Sequence, residues 1–176
     1  GEESVSSFNP LLVDGAKPTY SNPVASEDRL VQRKWRIRTL TGGKATGRLL
    51  GGNLTVMTAM VGTPYMPDMN GAILFLEDIG EAEYRIDRML TQLGQAGHLQ
   101  GLSGIIVGQC TDCTTSGGSD FTFNEILEQH IVPLGVPAFQ GAFFGHMANQ
   151  YTLPLGVKAR IDADSGTLRL LEASVA

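Results

Sequence analysis

Two residues of this 176-residue chain have the chemical types and the placement needed for proton transfer. Glu77 ends the apolar run Gly71-Ala-Ile-Leu-Phe-Leu-Glu-Asp78, and His146 ends a second run, Pro137-Ala-Phe-Gln-Gly-Ala-Phe-Phe-Gly-His146. A carboxylate and an imidazole, each delivered to the point where a buried strand meets solvent, can act as the orienter and the base of a hydrolytic triad. The third member, an attacking hydroxyl, has no good candidate. Gly117-Gly118-Ser119-Asp120 has the right letters. A nucleophile elbow, however, needs a buried strand running straight into a tight turn and a helix. Ser119 instead follows the polar stretch Thr114-Thr-Ser-Gly and precedes a helix cap, so it reads as a loop residue. Plainer readings stand beside the catalytic one. Glu77 could simply accept N–H groups at the start of the next helix, and His146 could be a satisfied surface residue. Asp78 and Glu81 compete for the carboxylate role. His98 and His130 compete for the base, but both sit next to helix ends and read as solvent-exposed.

These groups converge only if their strands are neighbours. Gly71 to Leu76 and Leu102 to Gly108 are short continuous apolar runs, the pattern of strands covered on both faces in a parallel sheet. Between them Ile86, Met89, Leu90 and Leu93 form one stripe of an amphipathic helix over Glu81–Leu93. Thr122 and Glu125 have capping-box spacing ahead of Ile126-Leu127, and Ala138 to Phe144 reads as a third strand. In such sheets ligands gather outside the carboxyl ends of the strands, which is where Glu77, Gln109–Asp112 and His146 fall. Asn53 after Gly51-Gly52 is a plausible N-cap for a helix over 54–61; a phosphate loop would need a Lys and a different Gly spacing. Trp35–Leu40 alternates with period two and reads as a strand, with Thr41–Ala45 as a hairpin loop and Thr46–Leu50 as its return. Leu155–Ile161 and Thr167–Leu171 flank Asp162-Ala-Asp-Ser-Gly166 as a terminal hairpin. Residues 1–34, with Pro10, Pro18 and Pro23, show little periodicity and read as an extended linker or arm. The fold class is therefore α/β: a small parallel sheet with crossover helices, carrying antiparallel hairpins at both ends.

Composition narrows the function classes. Hydrophobic residues at 42% supply a core, and the length fits one domain. A net charge of −5 gives no basis for binding nucleic acid, which depends on Lys and Arg against phosphates. No apolar stretch reaches the roughly 20 residues of a membrane helix, and Gly1-Glu-Glu-Ser has no secretory-signal pattern. Cys110 and Cys113 stand between a strand and a Thr/Ser/Gly loop, not at the start of a helix, so they read as ordinary strand-end cysteines. A zinc site would need about two further ligands, and no metal or organic cofactor is expected. Unpaired cysteines would fit a reducing compartment.

Several segments together carry a family resemblance. Leu76-Glu77-Asp78-Ile-Gly-Glu81-Ala-Glu-Tyr84-Arg85-Ile86-Asp87-Arg88-Met89-Leu90-Thr-Gln92-Leu93 resembles the LD-carboxypeptidases, also called muramoyltetrapeptide carboxypeptidases, a family that includes microcin-immunity peptidases. Gly51-Gly-Asn-Leu54, Gly108-Gln-Cys-Thr-Asp-Cys113 and Gly145-His146 follow as landmarks in the expected order, and the likeness runs from about Trp35 to the C-terminus. The resemblance implies a serine peptidase with a Ser–His–Glu triad, Glu77 being the carboxylate and His146 the general base. It also implies a C-terminal domain of swivelling β/β/α type over 35–176, with 1–34 as the connection to an N-terminal α/β domain that carries the serine. The implied reaction is removal of terminal D-Ala from a peptidoglycan tetrapeptide, or, in the microcin-immunity variant, cleavage of a nucleotide-linked peptide. A homodimer in the cytoplasm is implied as well, while a non-catalytic binding or dimerisation domain is the alternative. The 176-residue chain alone is expected to be inactive.

Overall fold

A computed structural model describes residues 2–24, 35–113 and 121–175. Eight strands form one mixed sheet, in the order β1 (Thr19–Tyr20), β8 (Thr167–Leu170), β7 (Lys158–Asp162), β3 (Lys44–Asn53), β4 (Ile73–Ile79), β5 (Gly104–Thr111), β6 (Ala138–Gln140) and β2 (Arg38–Thr41). The central pairs β3–β4, β4–β5 and β5–β6 are parallel; the flanking pairs are antiparallel. Four α-helices lie among the described residues: α1 (Glu2–Leu12), α2 (Leu54–Met60), α3 (Glu83–Gln95) and α4 (Phe123–Ile131). The expected α/β class, parallel centre and terminal hairpin β7–β8 are all present.

Period-two alternation along β4 divides the interior into two cores. Leu74 and Leu76 face the helices, where they pack with Leu90 and Leu93 of α3 and Ile126 and Leu127 of α4. Ile73 and Phe75 face the other way, into a core with Ile106, Phe139, Ile161 and Leu168. The caps hold as the residue types suggest. The Asn53 side chain accepts from Val56 N, and Thr122 and Glu125 complete the capping box of α4.

Four local expectations are corrected. First, β2 and β3 are joined by a tight Gly42-Gly43 turn yet do not pair. The first half of β3 pairs with β7 and the second half with β4, so both its edges are taken. β2 instead covers the edge of β6. The sheet curls far enough for the β2–β3 turn to meet the β7–β8 turn, through Ala163 N to Gly43 O at 2.9 Å and Thr39 Oγ1 to Ala163 O at 2.8 Å.

Second, the third core strand stops at Gln140. Gly141 turns the chain at φ +90°, and His146 follows on an irregular segment rather than at a strand end. Third, residues 2–12 are helical, not extended. Leu11 of α1 is fully buried, and Tyr20 of β1 packs in the same core. The side of α1 that meets the domain carries Ser4 and Ser7, which hydrogen-bond to Asn149, Gln150 and Thr152. Apart from Leu11 this face is polar, so the sequence shows no buried apolar stripe, and Val5 and Phe8 stay exposed.

Fourth, Cys110 and Cys113 form a disulfide, with 5.5 Å between their Cα atoms. Asp112, at φ +54°, folds the chain back beyond β5 and brings the two sulfurs together. The cysteines therefore give no support to a reducing compartment.

Candidate active site

Glu77 and Asp78 are consecutive on β4, so the pleat sends them to opposite faces. Glu77 continues the face of Ile73 and Phe75, past the end of that core. Asp78 continues the face of Leu74 and Leu76 and reaches the start of α2. There it is 3% exposed and accepts from Asn53 Nδ2 (3.0 Å), Thr55 N (3.0 Å), Thr55 Oγ1 (2.9 Å) and Ile79 N (2.8 Å). A carboxylate so fully engaged holds β4 to α2 and has no freedom for chemistry. Glu81 is occupied as well, with Thr55 Oγ1 at 3.3 Å and Arg85 Nη1 at 3.5 Å.

Glu77 meets His146 instead. Its Oε2 lies 2.7 Å from His146 Nδ1, across 69 residues of sequence. The Glu77 side chain is 12% exposed and the His146 ring 47%. With an ionised carboxylate as acceptor, Nδ1 carries the proton and the neutral ring presents its lone pair at Nε2. Nε2 makes no hydrogen bond to any described residue.

Several features place His146 there. The pairing of β4 with β5 shifts register between Leu76 and Asp78, so β5 carries one extra residue opposite Glu77. Bulges of this kind re-aim side chains next to functional sites. Gln109, at that irregularity, donates from Nε2 to Gly141 O (2.7 Å) and Ala142 O (3.3 Å), while its N–H donates to Phe144 O (2.9 Å). This ties the segment before His146 to the end of β5. Gly145, at φ +130°, sits so close to Glu77 that an added Cβ would stand 2.9 Å from Gln109 O and 3.4 Å from Glu77 Oε2. Only glycine allows both that backbone and that approach. The other side of the loop is held by α1. Ser4 N, a first-turn donor, reaches Asn149 Oδ1, and Ser4 Oγ accepts from Gln150 N at 3.1 Å. Below it Tyr20 donates to Thr152 O, and its rings stack against Tyr151 at 4.9 Å. Burial, with a smaller contribution from Tyr151, pushes the Tyr20 hydroxyl up to about 12.

The pair opens into a cleft of about 410 Å³, walled by Phe75, Phe144, Gly52, Gln150 and the 151–153 segment, with Glu77 and His146 inside it. Among the described residues no Lys or Arg lines it. The other candidates lie elsewhere. His98 is half-buried near the end of α3. His130 is not the exposed residue its sequence position suggests: its ring is 14% exposed and its Nε2 contacts Asp87 Oδ1 at 2.7 Å, joining α4 to α3. Ser119, with the rest of Gly117–Asp120, lies outside the described residues. Among the described residues no three His, Cys, Asp or Glu side chains are grouped to hold a metal. Sequence reading named Glu77 and His146, and Gly52 as part of a landmark, but did not single out Gln150 or Ser4. The signal for Gln150 was slight, a polar residue four positions after a candidate base.

Comparison with known proteins shows the family. Residues 46–161 match the model of the LD-carboxypeptidase C-terminal domain. The "probable murein peptide carboxypeptidase" of Bacillus subtilis is 39% identical over 137 residues, which is 77% of this chain and 43% of that protein. The solved muramoyltetrapeptide carboxypeptidase of Oxalobacter formigenes superposes with a TM-score of 0.75 at 30% identity, covering 97% of this chain and 54% of the other. The microcin self-immunity protein MccF, solved with aspartyl sulfamoyl adenosine, superposes at 0.81 with 27% identity, covering 98% and 56%. The chain thus spans about half the length of the relatives it matches. With its mixed sheet and the matching stretch over 46–161, the chain belongs to the LD-carboxypeptidase family, through that family's C-terminal domain.

Proposed function

We propose that this chain supplies the base and the orienting carboxylate of a serine LD-carboxypeptidase that removes terminal D-Ala from peptidoglycan tetrapeptides. The observation that carries the reading is the 2.7 Å contact from His146 Nδ1 to the partly buried Glu77, with Nε2 left unbonded to any described residue beside a cleft. In this mechanism Glu77 fixes the tautomer. His146 Nε2 takes the proton of a serine hydroxyl as that oxygen attacks the carbonyl of the L,D bond, then returns it to the departing D-Ala amine. Water, deprotonated by the same ring, releases the acyl group. The serine comes from an N-terminal α/β domain reached through residues 1–34, and oxyanion donors come from that half too. The homodimer and cytoplasmic location implied by the family resemblance are parts of the same proposal.

The test is D-Ala release from a muramoyl tetrapeptide. Full-length protein carrying this domain should release it, and the 176-residue chain alone should not. Release by the chain alone would overturn the division of labour. Likeness to MccF supports a second reading, in which the same groups cleave a nucleotide-linked peptide. Parallel turnover of the two substrates by the full-length protein separates them, and failure on both would leave only a binding or dimerisation role.

A further inference from the structure

Gln150 is tied to the candidate site by a bond that fixes which way its amide faces. Gly145 N donates to Gln150 Oε1 at 3.0 Å. A backbone N–H can only donate, so the oxygen end of the amide must face Gly145. The Nε2 end is therefore the one left over, and neither of its protons is bonded to any described residue. Gln150 lines the same cleft as Glu77 and His146. Its own backbone N–H donates to Ser4 Oγ on α1, so the residue is held at its backbone and at Oε1.

The neighbouring polar groups are more committed. The Tyr151 hydroxyl donates to Ser21 O, Ser4 Oγ accepts from Gln150 N, and Thr152 Oγ1 lies against Ser7. Among the described residues, Glu77 is the carboxylate on the wall and no Lys or Arg lines the cleft. A neutral N–H donor such as Gln150 Nε2 is the type of group on this wall that suits a peptide's free carboxylate. We propose that Gln150 is a specificity residue: its Nε2 donates to a carboxylate oxygen of the peptide substrate, while its Oε1 holds the Gly145–His146 turn. This rests on the carboxypeptidase reading given above.

The substitution Gln150→Glu divides the two roles. It keeps an oxygen acceptor for Gly145 N but replaces the donor with a second negative oxygen. Full-length enzyme would be assayed for kcat and KM on the tetrapeptide, and for inhibition by the same tetrapeptide bearing a C-terminal carboxamide. Loss of a hydrogen bond to a charged group corresponds to roughly tenfold to hundredfold in affinity. In Q150E, KM for the acid should rise by about that factor, while the carboxamide, which can donate to the new carboxylate, should bind within about threefold of its wild-type strength. Q150A should also weaken the acid more than the carboxamide, and it provides the same comparison if Q150E disturbs the loop. An unchanged KM in Q150E, or equal weakening of both ligands in both variants, overturns the proposal. His146→Ala is run in parallel. If H146A turns over like wild type, the carboxypeptidase reading itself fails; if H146A is dead and the Gln150 variants are indifferent to the terminal charge, only the present inference does.

Discussion

Among the described residues two histidine–carboxylate contacts have the same length, 2.7 Å, in opposite settings. At the helix layer His130 is 14% exposed and its partner Asp87 44%. At the cleft the order is reversed: His146 is 47% exposed and Glu77 12%. The bonded nitrogen differs as well, Nε2 in His130 and Nδ1 in His146. A base needs a reachable lone pair on the nitrogen away from its orienter. In the helix pair the ring is enclosed and the carboxylate is the wet partner, which suits a bridge between α3 and α4. In the cleft pair the carboxylate is enclosed and the free nitrogen faces open volume. A histidine beside a carboxylate is thus no mark of a site by itself; the order of exposure and the choice of nitrogen separate the two.

The largest effects should fall on the cleft pair. His146→Ala in the full-length enzyme should lower kcat by about 10⁴-fold or more, since removing the base of a triad disables the unit. Thermal unfolding should shift little, because the ring is half exposed. Glu77→Gln should follow at about 10³–10⁴-fold. The amide can turn its NH₂ toward Nδ1, moving the ring proton to Nε2, where it blocks proton uptake. A bell-shaped pH profile that survives E77Q at full height would break the comparison.

Next in size is the carboxylate one residue along. Asp78→Ala leaves Thr55 N and Ile79 N without their acceptor at a buried strand–helix junction. It should cost about 3–5 kcal/mol in urea denaturation. Glu77→Gln should cost far less stability, although the two side chains are neighbours. Equal destabilisation by the two changes would mean that Glu77, too, is mainly structural.

How much of this was legible in the sequence follows from the range of the forces involved. The β4–α3–β5 unit, the Asn53 cap and the Thr122–Glu125 box are set by short-range periodicity and capping, and each stands where its pattern puts it. Glu77 and His146 could be named because each closes an apolar run, although the run before His146 leaves β6 at Gln140 and continues as an irregular segment. What was not legible depends on contacts far apart in the chain. The curl that sends β2 to β6 arises because β7 and β4 occupy both edges of β3. Helix α1 is docked through Ser4 and Ser7 against residues 149–152 and through buried Leu11, a face with too few apolar residues to show as a hydrophobic stripe. The positive φ of Asp112 that closes Cys110 onto Cys113 has no cue in composition, and the burial of His130 depends on how α4 meets α3.

Alkaline pH offers a smaller lever on the cleft side alone. Tyr20 supports the 151–152 segment, and its hydroxyl is pushed up to about 12 by burial and by Tyr151. The unfolded chain ionises near 10. A folded pKa above the unfolded one means that the stabilisation is complete below about pH 10 and is lost as pH rises toward 12. Two pH units at about 1.4 kcal/mol each give a loss of about 3 kcal/mol. Comparing wild type with Tyr20→Phe in denaturant melts from pH 9 to 12 isolates this contribution, and parallel curves for the two would exclude it.

The smallest expected effect belongs to the helix pair. His130→Ala removes one hydrogen bond to a carboxylate that is nearly half in water. Solvent screening limits the loss to about 1 kcal/mol in the urea midpoint. Asp87→Asn should cost no more, because its side chain can turn to solvent. Neither change touches the cleft, so kcat and KM of the full-length enzyme should match wild type within experimental scatter. The contrast with His146 is then complete in both directions: one histidine whose loss is felt in turnover and hardly in stability, and one for which the reverse holds. A fall in kcat for H130A comparable to that for H146A would show that α3–α4 packing reaches the site through β4 and β5, and the two pairs would no longer be separable by exposure alone.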